Sequence, residues 1–406
     1  MVKKELILSR REFLTLGGFA AVSLGLPRWA RAAAEAARRS GKTLVVVLQR
    51  GAMDGLNVVI PFRDPVYLKA RPTIAIPAPG RDGGALDLDG AFGLHPALSP
   101  LLPLYKEGRL AFIQAAGSPD ATRSHFDAQD YMESGTPGVK GTEDGWLDRA
   151  LTAKKLARDP LAAVAIGPRL PLMLRGAFPV SALTGADQLK GASLENSLES
   201  LYDGAVDALL SDAARDLGEA RKELGGIPKA GPDDAARAGY PKAAIGRDLF
   251  ELARILKAGL GTRVGFVEAG GWDHHFNEGG SEGQLAKRLE ELGGAIAAFH
   301  RDLGSRAEDV VLITMTEFGR TIEENGNGGT DHGHGSVMMV LGGRVKGGRV
   351  LGRWPGLDPA ARFESRDLEV TTDFRGVAGE VLLKHLGLKD LSVVFPGGSW
   401  PALGLI

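Results

Sequence analysis

The stretch Thr43–Asn57, TLVVVLQRGAMDGLN, decides the fold class. Its opening run is apolar after the first threonine and rich in β-branched valine, so it reads as a buried strand. The chain then turns polar and glycine-containing, and Asp54 and Asn57 come shortly after the strand. The same succession recurs along the sequence. RLAFIQAAG at Arg109–Gly117, RVGFVE at Arg263–Glu268, DVVLITM at Asp309–Met315 and SVMMVLGG at Ser336–Gly343 all read as strands. Helical patterns lie between them, at Pro96–Gly108, Gly283–Leu303 and from Thr371 to near Gly387. Strands alternating with helices specify an α/β layered fold. Ser124 stands where a helix N-cap belongs, Asp127 follows at capping-box spacing, and Gly135 closes that helix.

From about Gly138 to Gly261 the pattern changes to alanine, leucine and charge, with helical runs at Ser193–Leu224 and Pro241–Leu260. This segment is expected to be an all-helical insertion covering the site.

The chain of 406 residues is 44% hydrophobic, enough for a large core. Its 49 basic and 50 acidic residues nearly cancel, which argues against nucleic acid as a partner. Cysteine is absent, so any bound metal must be held by oxygen and nitrogen. Residues 1–32 read as an export signal. In LILSRREFLTLGGFAAVSLGLPRWARAAAE, Arg10 and Arg11 fit a twin-arginine pattern, an apolar run extends from Thr15 to Pro27, and Ala30-Arg31-Ala32 fits a cleavage site. The expected partner is the twin-arginine export machinery, and the expected location is periplasmic or secreted. No later stretch reaches transmembrane length, so no membrane span is expected in the mature chain.

Polar clusters sit at the strand ends, where α/β sheets place ligands. Asp54 and Asn57 follow the first strand, Ser124 and His125 the second, Asp273, His274 and His275 the third, and Glu317 and Arg320 the fourth. The fifth cluster, GGTDHGHG with Asp331, His332 and His334, stands before its strand instead of after it. Five of the eight histidines fall in these clusters, whereas His95, His300 and His385 read as structural. Carboxylates and imidazoles converging on one rim need a compensating cation. A divalent metal meets that need, Zn²⁺ first with Mn²⁺ or Ca²⁺ behind it, as one or two ions. Each motif alone also has a plainer reading: DHH and DHGH as surface turns, Asp54-Gly55 as a turn dipeptide, Ser124 as a cap, Glu317 as an ion-pair partner of Arg320.

Together RGAMDGLN, RSHFDAQDYMESG, GGWDHH, TEFGRT and GTDHGHG resemble the domain-of-unknown-function family 1501, which is related to the alkaline phosphatase and sulfatase superfamily. That resemblance implies a three-layer α/β/α sandwich with a mostly parallel mixed sheet and two metals at its carboxyl edge. It implies Asp54, Asp273, His275, Glu317 and His332 as metal ligands, Asp331 as a further ligand or the orienter of His332, Asn57 and His274 behind them, and His334 behind them or against the substrate. Ser124 takes the nucleophile position, with His125 as a ligand or acid/base. We read Arg123 and Arg320 as forks for the equatorial oxygens of the reacting group. Gln49–Met53 separate Asp54 from its strand, and Phe318 stands where a histidine or asparagine ligand is expected. The implied reaction is hydrolysis of a phosphate or sulfate ester. A non-catalytic, metal-stabilised cell-envelope binding protein and a phosphomutase-like transferase are the alternatives.

Overall fold

The computed structural model describes residues 41–186 and 208–406. The stretch expected to be an export signal and the N-terminal part of the helix expected at Ser193–Leu224 lie outside the described residues.

The valine-rich run forms β1, Thr43–Arg50, at the middle of a nine-stranded sheet. The remaining strands are β2 (Val59–Ile60), β3 (Leu86–Asp87), β4 (Gly93–Leu94), β5 (Leu110–Gly117), β6 (Ala163–Ile166) and β7 (Ser181–Leu183), then β8 (Val264–Gly270), β9 (Val310–Thr316), β10 (Ser336–Gly342), β11 (Arg349–Leu351) and β12 (Thr372–Asp373). The main sheet runs β11-β5-β10-β9-β1-β8-β6-β7, with β12 beside β5, and β2, β4 and β3 form a small second sheet.

Side chains alternate across a strand, and β1 uses both faces. Leu44, Val46 and Leu48 enter one core, Val45 and Val47 the other, and all five are fully buried. Helices Ala244–Ala258 and Gln284–Asp302 pack on the Val45 side, while Trp146–Ala153 and Phe374–Lys384 pack on the Leu44 side. The result is a three-layer α/β/α sandwich. Burying each of these β1 side chains contributes about 1.5–3 kcal/mol.

β1 pairs in parallel with β8 and β9, aligning Leu44 with Val264 and Val311. Among the described strands of the main sheet, β10 alone runs against its neighbours, being antiparallel to both β5 and β9. This explains the odd position of GGTDHGHG. The start of a reversed strand lies on the same rim as the ends of the others, so a cluster before β10 meets clusters after β1, β5, β8 and β9.

The all-helical insertion expected at about 138–261 is corrected: that segment supplies β6 and β7 to the main sheet. These strands are four and three residues long, AVAI and SAL, and such short runs carry no periodicity to separate them from alanine-rich helix. The helix expected at Pro96–Gly108 is split into a 3₁₀ turn, Pro96–Leu101, and a short α-helix, Leu102–Lys106. Pro100 and Pro103 remove the amide donors a continuous helix would use there. No helix among the described residues is long and apolar enough to cross a membrane.

Candidate metal centre

The rim is built by loops packed backbone on backbone. A Cβ on Gly319 would fall 1.8 Å from the Gly335 carbonyl oxygen, and one on Gly333 would fall 2.3 Å from the Arg320 carbonyl carbon. Only glycine allows this approach, which draws the Glu317 loop and the His332 loop together.

Four side chains from three loops converge there. Asp273 Oδ1 lies 3.0 Å from His275 Nε2 and 3.2 Å from His332 Nε2, and Oδ2 lies 3.5 Å from His125 Nε2. The Nε2 atoms of His275 and His332 are 3.0 Å apart. His125, Asp273 and His332 each offer a ligand atom, all within 4.8 Å of one another.

The outer nitrogens decide what these rings can do. Nδ1 of His125 meets buried Glu317 Oε1 at 2.8 Å, Nδ1 of His275 meets Asp331 Oδ1 at 3.2 Å, and Nδ1 of His332 meets the Arg123 carbonyl at 2.9 Å. All three partners are acceptors, so each neutral imidazole carries its proton on Nδ1 and turns an Nε2 lone pair inward. Three lone pairs facing one carboxylate repel unless a cation sits among them. The donor set, three imidazole nitrogens and a carboxylate, suits Zn²⁺. His125 Nε2 is buried and has no hydrogen-bond partner, which suits it to act as a ligand atom. The outer acceptors hold the rings as carboxylates and carbonyls hold metal-bound histidines.

The charges and burial of the cluster shift its groups in different directions. The Glu317 hydrogen bond raises the His125 pKa, against the opposing effect of burial. Burial pushes the Asp273 carboxyl up, but the hydrogen bond and charge of Arg320, with His275 and His332, hold it down at about 2. Burial lowers His332, and the neighbouring His125 adds to that. Burial likewise pushes the Glu317 carboxyl up, yet His125 and Gln129 bring it below the ordinary carboxylate range.

The remaining candidates are placed differently. Asp54, expected as a metal ligand, is corrected: it is buried against Arg71, whose Nη1 and Nη2 donate to its two oxygens. Asn57 belongs to the same network, accepting from Arg71 and Tyr67. Glu317 contacts the His125 ring from outside the cluster, so it positions a ligand. Asp331 does the same for His275. Phe318 packs its ring 5.0 Å from both His125 and His332, forming an apolar wall where a ligand was expected. The structure thus gathers one ligand group among the described residues instead of two.

The two arginine forks are also corrected. Arg320 is buried and brackets the loops, donating to the carbonyls of Gly51, Ala52, Trp272 and Thr330 and to Asp273. Arg123 is committed to Asp367 and Glu364. His274 is buried, and His334 stacks on Phe363 at 4.1 Å; burial holds both pKa values at about 4. Ser124 caps the helix His125–Ser134, accepting from the Asp127 amide at 3.4 Å, and its side chain lies at the surface.

Residues not foreseen complete the frame. Gln129 donates to Glu317 Oε1 at 2.8 Å from four residues beyond His125, the same helix face, a spacing that could have exposed it. Asn325 donates to the His275 carbonyl and to Asp331, for which no sequence signal exists.

The profile of a family described as "Protein of unknown function (DUF1501)" matches residues 111–375. The chain belongs to that family. No curated protein matches this DUF1501 chain. Among solved structures, it is similar to a substituted form of the alkaline phosphatase PafA, with 10% identity and a TM-score of 0.32 over 69% of this chain and 64% of that one. It is similar to the PsFucS1 sulfatase of Pseudoalteromonas sp., with 12% identity and a TM-score of 0.34 over 94% of this chain and 72% of the other. It is also similar to the phosphonate monoester hydrolase of Agrobacterium radiobacter, with 12% identity and a TM-score of 0.32 over 89% and 79%. The DUF1501 chain spans 64% of the length of the PafA form.

Proposed function

We propose that the protein is a metal-dependent hydrolase of a phosphate or sulfate ester, exported by the twin-arginine route and working outside the cytoplasm. One observation carries the reading: three inward Nε2 atoms around Asp273, each with its Nδ1 tied to an acceptor. His125, Asp273, His275 and His332 would hold one divalent cation, Zn²⁺ first. When bound, such an ion polarises a phosphoryl or sulfuryl oxygen and favours the deprotonated form of a nearby hydroxyl.

The chain's own residues prepare the rest. Ser124 is the candidate nucleophile, seated between Arg123, whose carbonyl His332 holds, and His125. It stands at the N-terminus of a ten-residue helix, where the dipole favours an alkoxide. Glu317 with Gln129, and Asp331 with Asn325, fix the ring planes of His125 and His275.

A second reading is a metal-stabilised binding protein of the cell envelope. It draws on the Ser124 hydroxyl, which already serves as a helix cap, and on four protein donors, the number that closes a structural zinc site. Elemental analysis of the purified full chain, then assays on 4-nitrophenyl phosphate and sulfate with Zn²⁺, Mn²⁺ or Ca²⁺, separates the two. The hydrolase reading expects one bound ion and turnover abolished by Ser124→Ala, with metal content retained. A metal-loaded protein that cleaves neither ester refutes it, and one that takes up no divalent ion refutes both readings.

A further inference from the structure

Among the described phenylalanines, only Phe126 and Phe276 are exposed, at 85% and 61%. A lone exposed phenyl is ordinary. These two are not placed at random: each directly follows a histidine whose Nε2 faces Asp273, Phe126 after His125 and Phe276 after His275. They also arrive from opposite sides of the rim. His125 opens the helix that follows β5, His275 follows β8, and in the sheet β5 and β8 are separated by β10, β9 and β1.

We infer that Phe126 and Phe276 form an aromatic clamp that selects aryl esters. The inference rests on the hydrolase reading above, because the clamp is defined by the group it flanks. The cluster supplies charge for the anionic ester head, and the two rings supply only apolar and π surface. A matching ligand therefore joins an anionic ester to a flat apolar group, and rings on two sides favour an aromatic one through stacked or edge-on contacts. Neither ring pairs with another aromatic ring among the described residues.

The test compares calorimetric binding of phenylphosphonate and methylphosphonate, two non-hydrolysed probes, to the Zn²⁺-loaded full chain. Wild type is expected to prefer the phenyl compound by roughly tenfold or more. In F126A/F276A that preference disappears while methylphosphonate affinity, metal content and the thermal melt stay as in wild type. F126L/F276L, which keeps apolar area without rings, also loses most of it. Equal affinity for both probes in wild type, or a preference retained in F126A/F276A, overturns the clamp and leaves the hydrolase reading standing. If neither probe binds the loaded protein, the hydrolase reading falls and the clamp with it. Binding to phosphatidylglycerol vesicles that F126A/F276A abolishes while the phenyl preference survives also overturns the clamp, marking the rings as a lipid anchor.

Discussion

Replacing Glu317 by glutamine keeps the shape of a fully buried side chain, removes its charge and turns the oxygen that accepts from Thr316 Oγ1 into an amide donor. Oε1 accepts from the Gly51 amide, His125 Nδ1 and Gln129 Nε2, each at 2.8 Å. A hydrogen bond to a charged group is worth about 1.5–3 kcal/mol and a neutral one about 0.5–1.5, so weakening three bonds by about 1–1.5 kcal/mol each costs about 3–4.5 kcal/mol. The loss depends on pH, with a definite sign. His125 is raised by Glu317, so its contribution is complete below the ordinary histidine value of 6.5 and vanishes as pH rises through the raised folded value. Glu317 is lowered, so its contribution is complete above the ordinary value of 4.5 and is lost as pH falls through the depressed folded value. The pair is therefore worth most between those two ordinary values. Urea unfolding of the metal-free protein should show a larger difference between wild type and Glu317→Gln at about pH 5.5 than at about pH 9. Zn²⁺ affinity, read by chelator competition, should fall about 10–100-fold, as when other outer partners of metal-bound histidines are removed. An identical stability gap at both pH values, together with unchanged Zn²⁺ affinity, would refute the positioning role of Glu317.

Asp54→Asn should leave metal content unchanged by elemental analysis, since Asp54 is committed to Arg71; loss of the ion would restore it as a ligand. Arg71→Met strands a buried carboxylate and should cost about 3–5 kcal/mol in urea unfolding; a loss below about 1 kcal/mol contradicts the pairing. Gly319→Ala forces a Cβ onto the Gly335 carbonyl and should destabilise by about 1–3 kcal/mol; a neutral result means the loops can separate freely. His95 and His385 are buried, and desolvation lowers both to about 4. Because the unfolded chain binds those protons first, stability should fall as pH drops from 6.5 towards 4. A urea midpoint flat over that range would contradict it, and His385→Asn should reduce the slope.

The strands of the sheet centre were legible because burial on both faces leaves β-branched apolar runs such as VVLITM. β6 and β7 were not, since AVAI and SAL hold too few residues to show a period. The convergence of Asp273, His275 and His332 could be anticipated from their positions next to strands. His125 was weighed as ligand or acid/base, and the structure turns its Nε2 towards Asp273. Which carboxylate faces inward could not be read in advance. Asp54 and Glu317 both stand near strand ends, and what diverts them is a partner elsewhere in the chain: Arg71 for one, the His125 ring for the other. Hydrogen-bond partnership across loops has no signature in spacing, and for the same reason Arg123 and Arg320 looked free in the sequence while Asp367 and the loop carbonyls had already engaged them.

The reversal of β10 has a further consequence. β9 and β10 are adjacent and antiparallel, so residues 317–335 leave the sheet and re-enter it on one side, as a single long hairpin connection. Glu317, Arg320, Asp331 and His332 all ride on it, while the strands that anchor it are locked into the frame. Much of the chemistry is therefore carried on one segment held at both ends by neighbouring strands, so a shift between β9 and β10 would move all four residues at once.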